Sequence, residues 1–130
     1  MTPAPVRVLV VDDDAGVRYT LREILASEGL AVDEASDGVE ALAKLELQPA
    51  PLVVTDLRMP RMDGELLLRT IRQAGGESDL TIVVMTGAIE PQVEKKLARE
   101  GADAVLEKEL GPRFLAQAAV AVLERKGRGQ

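Results

Sequence analysis

Cysteine is absent from the 130-residue chain, which removes any disulfide framework or thiolate metal site. Histidine is absent too, so imidazole acid–base catalysis, histidine nucleophiles and imidazole zinc sites are excluded. No apolar run approaches the roughly 20 residues needed to span a bilayer as a helix, and the opening Met-Thr-Pro-Ala-Pro does not read as a signal peptide. A soluble, cytoplasmic domain with no membrane contact is the expectation. Positive charge is in deficit: 16 basic against 22 acidic residues leave a net charge of −6, a poor match for a phosphate backbone. Neither G-x-x-x-x-G-K-[ST] nor G-x-G-x-x-G follows the first apolar run, so two common nucleotide cradles are missing. Oxygen chemistry is what remains.

What is present reads as one globular domain. The 46% hydrophobic and 29% charged residues are ordinary for a folded chain of this length. Short apolar runs at Val6–Val11, Leu30–Ala35, Leu52–Thr55, Leu80–Met85 and Ala104–Leu106 alternate with segments of helical period. Three of the runs are almost wholly apolar and rich in valine, as strands covered on both faces should be. Val17, Leu21, Ile24 and Leu25 make one helical stripe, Val39, Leu42 and Leu45 a second, and Leu67, Leu68 and Ile71 a third. Asp37 with Glu40 has capping-box spacing. Gly29, Gly75 and Gly101 stand where helices end, and Pro91 and Pro112 suit first helical turns.

The pattern predicts (βα)5: an α/β, doubly wound, parallel five-stranded sheet of flavodoxin-like strand order 2-1-3-4-5. Residues 1–124 are expected to form the domain, and 125–130 a tail or the start of a truncated linker. In such sheets ligands gather at the carboxyl ends of the strands, near the switch in strand order.

Those ends carry the polar residues of interest. Asp12, Asp13 and Asp14 follow the first run directly, Asp56 ends the third, Thr86 the fourth and Lys108 the fifth. Singly, each has a plain reading. Asp14 can cap a helix, Asp56 can start a turn, Thr86 is a strand residue and Lys108 a solvated charge. Capping does not explain three acids in a row. Two carboxylates about 4 Å apart repel by about 4 kcal/mol at an effective dielectric of ~20 unless one is protonated or a cation joins them. A hard divalent ion accepts such an all-oxygen site.

At this point the sequence resembles the receiver domain of two-component response regulators. Asp56-Leu57-Arg58-Met59-Pro60-Arg61-Met62-Asp63-Gly64 is similar to that family's phosphoacceptor loop, Val8-Leu9-Val10-Val11-Asp12-Asp13 to its acidic pair, and Met85-Thr86-Gly87-Ala88 to its switch threonine. The likeness runs from about Val6 to Leu123. It implies that Asp56 takes a phosphoryl group from a histidine kinase, a phosphotransfer protein or a small phosphodonor. It implies that Asp12, Asp13, Asp56 and the backbone carbonyl of Arg58 hold Mg2+. Thr86 would bind the phosphoryl oxygens, Lys108 would neutralise one of them, and Gly87 would leave room beside them. Such a chain is not a turnover enzyme; it transfers a phosphoryl group to its own aspartate and hydrolyses it from there.

Two positions depart from the family. Glu109 follows Lys108 where the family has proline, so a trans bond is expected, since a non-proline cis bond costs about 2.5–4 kcal/mol. Val105 stands on the fifth strand where the family often has an aromatic. Both bear on output rather than on chemistry at Asp56, and they leave open a pseudo-receiver that serves only as a protein-interaction module. A third reading, a phosphatase resembling the haloacid dehalogenase superfamily, rests on Asp12-x-Asp14 after an apolar strand; Gly16 stands where that motif needs another residue, and there is no cap. On the last helix, Leu115, Ala118, Ala119 and Val122 should face the sheet. Ala116, Val120 and Leu123 form a second stripe, either buried as well or open to a partner. The surface made by the fourth helix, fifth strand and fifth helix is the expected contact for an output domain or homodimer. No basic recognition helix is present, so nucleic acid is not an expected partner of this chain alone.

Overall fold

Valine-rich runs that can be covered on both faces become the centre of a parallel sheet. A computed structural model describes residues 4–74 and 79–127. In chain order the elements are β1 (Arg7–Val11), α1 (Ala15–Ser27), β2 (Ala31–Ala35), α2 (Gly38–Leu47), β3 (Leu52–Asp56), α3 (Gly64–Gln73), β4 (Thr81–Thr86), α4 (Pro91–Arg99), β5 (Ala104–Glu107), a single 3-10 turn (Lys108–Leu110) and α5 (Pro112–Gly127). All pairings are parallel and the order is β2-β1-β3-β4-β5. This is the predicted architecture. β3 and β4 are buried along their whole length, whereas the edge strand β5 is half-buried throughout.

Side-chain alternation divides the interior into two layers. Leu9, Val11, Val53, Ile82 and Val84 point to the side covered by α2, α3 and α4, where Ala41, Leu67, Leu68, Ile71 and Leu97 meet them. Val8, Val10, Leu52, Val54, Val83 and Met85 point to the other side, under Leu21 and Leu25 of α1 and Leu115, Ala116, Ala119 and Val122 of α5. Each fully buried Leu, Val or Ile contributes about 1.5–3 kcal/mol, so these layers dominate the stability.

Several local expectations needed correction. Val39 is 44% exposed, because α2 turns Gly38 and Ala41 inward and leaves only Leu42 and Leu45 of the predicted stripe against the core. The capping box is shared out: Asp37 Oδ1 accepts from the Glu40 N–H at 2.9 Å, but the Glu40 carboxylate turns back to the backbone and hydroxyl of Ser36. On α5, Ala116 is buried and Ala118 half-buried, and Val120 and Leu123 pack against the core, so the second stripe is covered rather than offered to a partner. The same helix continues to Gly127, through positions where fraying was expected, and Lys126 Nζ donates to Leu80 O at 2.8 Å and Asp103 Oδ2 at 3.0 Å. Asp103 Oδ2 also accepts from Ile82 N at 2.9 Å and Arg72 Nη2 at 3.0 Å, tying α3, β4 and α5 together at the amino ends of the strands. Pro91 and Pro112 open their helices as predicted, and Gly29 and Gly101 have φ of +92° and +116°. Gly75 lies outside the described residues.

The β3–α3 connection is unusually tight. Leu57 N donates to Met85 O and Gly64 N to Leu57 O, each at 2.8 Å, closing the loop at its base. A Cβ at Gly64 would lie 2.2 Å from the Asp56 carbonyl oxygen and 3.0 Å from Leu57 Cα, both backbone atoms that cannot step aside. Arg61 has φ +66°, a left-handed conformation that costs a non-glycine residue about 1–2 kcal/mol. Alanine normally improves a helix over glycine by about 1 kcal/mol. Gly64→Ala should instead destabilise by about 2–3 kcal/mol, from overpacking. Urea unfolding checks this, and a midpoint equal to or above that of the parent chain would show that the loop yields.

Candidate functional site

A parallel sheet brings the carboxyl ends of its central strands together, and the side chains there are set by where each strand stops. β1 ends at Val11 and β3 at Asp56, so Asp12 and Asp13 come to lie beside Asp56. Carboxylate oxygens of Asp12, Asp13 and Asp56 all lie within 4.8 Å of one another. Asp12 is fully buried, Asp56 is 9% exposed, and Asp13 opens to solvent. Asp14 does not join them: its Oδ1 accepts from Gly16 N at 2.9 Å and Val17 N at 3.2 Å, which makes it the N-cap of α1. The acid that the phosphatase reading needs is thus committed to the helix.

Lys108, at the end of β5, reaches across the sheet edge. Its Nζ lies 2.7 Å from Asp12 Oδ2 and 3.3 Å from Asp56 Oδ2. Asp12 is held from the other side by the Asp14 N–H at 2.9 Å, and Arg18 Nη1 donates to the Asp12 backbone carbonyl at 2.6 Å. Asp56 is therefore the less restrained of the two carboxylates that share the ammonium. Thr86 ends β4, 9% exposed, and its hydroxyl donates to Ala88 O at 3.3 Å. Beside it, a Cβ built on Gly87 meets nothing within 4 Å. Arg58 is exposed two residues beyond Asp56. Among the described residues no peptide is cis, so Lys108–Glu109 is trans as expected; Glu109 is exposed, and Val105 is half-buried against the core.

The electrostatics follow from this packing. Burial pushes the Asp56 carboxyl above its ordinary value of 3.8, the charge of Asp12 adds to that, and the Lys108 ammonium opposes both. Burial pulls the Lys108 ammonium down, but the hydrogen bond and charge of Asp12, with those of Asp56, outweigh it and leave Lys108 above its ordinary 10.5. The donor set is all oxygen, crowded and negative, with one member facing solvent. That is the chemistry a partly hydrated Mg2+ accepts, so the residues fit such an ion.

The sequence placed Asp12, Asp13, Asp56, Thr86 and Lys108 at one edge, and the structure puts them there. It did not reveal Arg18 as the clasp on Asp12. The helical spacing of Arg18 from Asp14 was a usable signal. Nor did it reveal Arg61, whose Nε and Nη2 lie 2.8 and 2.7 Å from Asp37 Oδ2; no spacing rule links those positions.

Comparison with known proteins converges on one family. The profile of the response regulator receiver domain matches residues 8–120. The chain is 35% identical over 123 residues to the gliding motility regulatory protein of Myxococcus xanthus, covering 91% of this chain and 16% of that protein. It is 48% identical over 82 residues to response regulator MprA of Mycobacterium sp. strain KMS, covering 63% of this chain and 35% of that protein. It thus spans about a third or less of these relatives. The CheY-like response regulator receiver domain protein from Methanospirillum hungatei JF-1 superposes with a TM-score of 0.86 at 28% identity, over 97% of this chain and 99% of that one. Chemotaxis protein CheY4 of Vibrio cholerae gives 0.86 at 29% identity, over 92% and 100%.

The raised Asp56 value carries a stability consequence of definite sign. The folded chain keeps this proton to higher pH than the unfolded chain, so stability falls as pH rises through the window above 3.8 and stays lowered beyond it. In metal-free buffer at about pH 7.5, Asp56→Asn should be more stable than the parent chain, by on the order of 1 kcal/mol. The gain should fade as pH drops towards the ordinary carboxylate value. Thermal melts followed by circular dichroism decide it; a lower melting temperature for Asp56→Asn near neutrality would mean that the Lys108 contact outweighs burial and repulsion.

Proposed function

The chain belongs to the response regulator receiver family, and on that premise we propose that Asp56 is its phosphoacceptor. Receiver domains are signalling modules rather than turnover enzymes, and they work between histidine kinases and output domains. The observation that carries the assignment is the Asp56 carboxylate itself. It ends a central strand, shares one ammonium with Asp12, and lies in a single oxygen cluster with Asp12 and Asp13.

In this reading an Asp56 oxygen attacks the phosphorus of a sensor histidine kinase, a phosphotransfer protein or a small phosphodonor. The new P–O bond forms as the bond to the donor breaks, and the donor leaves with that electron pair. The product is an acyl phosphate, and its hydrolysis by water regenerates the carboxylate. Lys108 offsets the charge spread over the phosphoryl oxygens. The Thr86 hydroxyl, held by a 3.3 Å bond to Ala88 O, gives that bond up for a phosphoryl oxygen at little cost. Asp12, Asp13, Asp56 and the Arg58 carbonyl would hold Mg2+. When bound, the ion neutralises the carboxylates and orients the donor. Gly87 leaves the space beside Thr86 free. Among the described residues no helix is long and apolar enough to cross a membrane.

Output to an output domain or a second copy is assigned to the surface of α4, β5 and α5; Phe114 of α5 is 46% exposed, and Leu110 in the 3-10 turn before it is 53% exposed. Val105 has little volume with which to fill space vacated by Thr86, and α4 has only Leu97 fully buried, with Val93 partly so. A loosely anchored helix shifts by loosening rather than by a defined rotation.

Two measurements follow. Incubation with acetyl phosphate and Mg2+ should add one phosphoryl mass to the intact chain, and Asp56→Asn should abolish the addition; undiminished labelling of that variant, or label mapped to Asp12, overturns the assignment. Amide chemical shifts with and without beryllium fluoride should move strongly at Thr86 but weakly and diffusely along α4, β5 and α5. Large two-state changes running from Thr86 through Val105 into α5 would show that Val105 and Glu109 do not weaken the switch.

A further inference from the structure

The loop between β3 and α3 is pinned at its base, yet its tip is held by a different part of the chain. Gly64 N on Leu57 O and Leu57 N on Met85 O fix where Asp56 and Leu57 sit. Beyond that base, Asp63 is held as the N-cap of α3, Met59 and Met62 pack against the core, and Met62 N donates to Pro60 O at 2.7 Å. Three further contacts, at the amino end of α2, hold Arg61 and Met62. Gly38 N donates to Met62 O at 3.0 Å. The Met62 side chain lies over Gly38 so closely that a Cβ there would be 2.5 Å from Met62 Cγ. Arg61 places Nε and Nη2 at 2.8 and 2.7 Å from Asp37 Oδ2. The Asp37 carboxylate is nearly buried, and its other oxygen caps α2 through Glu40 N. Both oxygens of one carboxylate are thus committed, one to the helix and one to the loop. Arg61 does this from a left-handed backbone, a conformation that persists only where its surroundings over-determine it.

We propose that the Arg61–Asp37 pair is a positioning device that sets the affinity of the acidic site for Mg2+ by fixing the loop that presents the Arg58 carbonyl. Arg61 does not touch the site; it acts through the backbone of the loop. The proposal rests on the reading of Asp12, Asp13, Asp56 and the Arg58 carbonyl as metal ligands. Without the clamp the loop would keep only its base bonds and the packing of Met59 and Met62, the carbonyl would sample a wider range of directions, and binding would have to select among them.

The test is a Mg2+ titration of the whole chain followed by amide chemical shifts, on the parent and on Arg61→Gly, Asp37→Asn, Arg61→Lys and Asp13→Asn. Glycine suits the left-handed backbone, so Arg61→Gly removes the clamp without adding strain. Asn at position 37 keeps an oxygen for the α2 cap, giving a second route to the same loss. Both should raise the Kd for Mg2+ about 10-fold, the scale for removing groups that orient metal ligands. Arg61→Lys, which keeps the charge, should fall between these and the parent. With acetyl phosphate, the Mg2+ concentration for half-maximal labelling should rise with the Kd while the rate at saturating Mg2+ stays within about 2-fold of the parent. A purely structural pair would lower the melting temperature and leave the Mg2+ dependence unmoved. Parent-like Mg2+ affinity in Arg61→Gly and Asp37→Asn, with affinity lost in Asp13→Asn, overturns the clamp alone. Parent-like affinity in Asp13→Asn as well overturns the metal-site reading beneath it.

Discussion

One ammonium makes the acidic edge tolerable. Lys108 Nζ stands 2.7 Å from Asp12 and 3.3 Å from Asp56, and both carboxylates are buried. Without the cation, burial and the charge of Asp12 would push the Asp56 carboxyl still further above its ordinary value. With it, Asp12 is nearly saturated by Lys108 and the Asp14 N–H, while Asp56 shares the same charge at longer range. The asymmetry is one of restraint: Asp12 anchors the lysine, and Asp56 keeps the less committed carboxylate. Since Lys108 comes from the last strand and the acids from the first and third, the edge exists only in the assembled sheet.

The opposite edge is built differently. There one carboxylate, Asp103, collects donors from β4, α3 and α5. Two cations meet this one carboxylate, which is also tied into the backbone. At the carboxyl ends negative charge is left in excess. A fold with both edges satisfied would hold together as well, but it would have nothing to offer a cation or a phosphoryl group.

Much of this was legible in the amino-acid sequence because the governing rules are local. Apolar runs of strand length, alternating with helical stripes, dictated the (βα)5 order, and the placement of Asp12, Asp56, Thr86 and Lys108 at the ends of those runs followed from topology. Asp14 as a cap was equally local. What escaped depends on how elements roll against one another. Val39 belongs to an apolar stripe on paper, but the approach of Met62 to Gly38 turns α2 so that it faces solvent. Glu40 had its reciprocal partner one residue early, at Ser36. Arg61 with Asp37, and Lys126 with Asp103, join residues more than twenty positions apart, and no pattern within a helix or turn encodes such pairs.

The register of β1 against β3 has a kinetic side. Val8 pairs with Leu52, Leu9 with Val53 and Val11 with Thr55, so the whole α1–β2–α2 segment lies in the loop that this join closes. Pairings across a long excursion bear a loop-closure penalty and come late in folding, after the nearer β3–β4 contact. Asp12 and Asp13 lie on one side of that seam and Asp56 on the other. The repulsive cluster is thus absent from partly folded chains and appears only as the seam closes. Refolding of the metal-free chain meets its electrostatic opposition at the end of the reaction, and a cation that bridges the seam acts mainly by slowing its reopening.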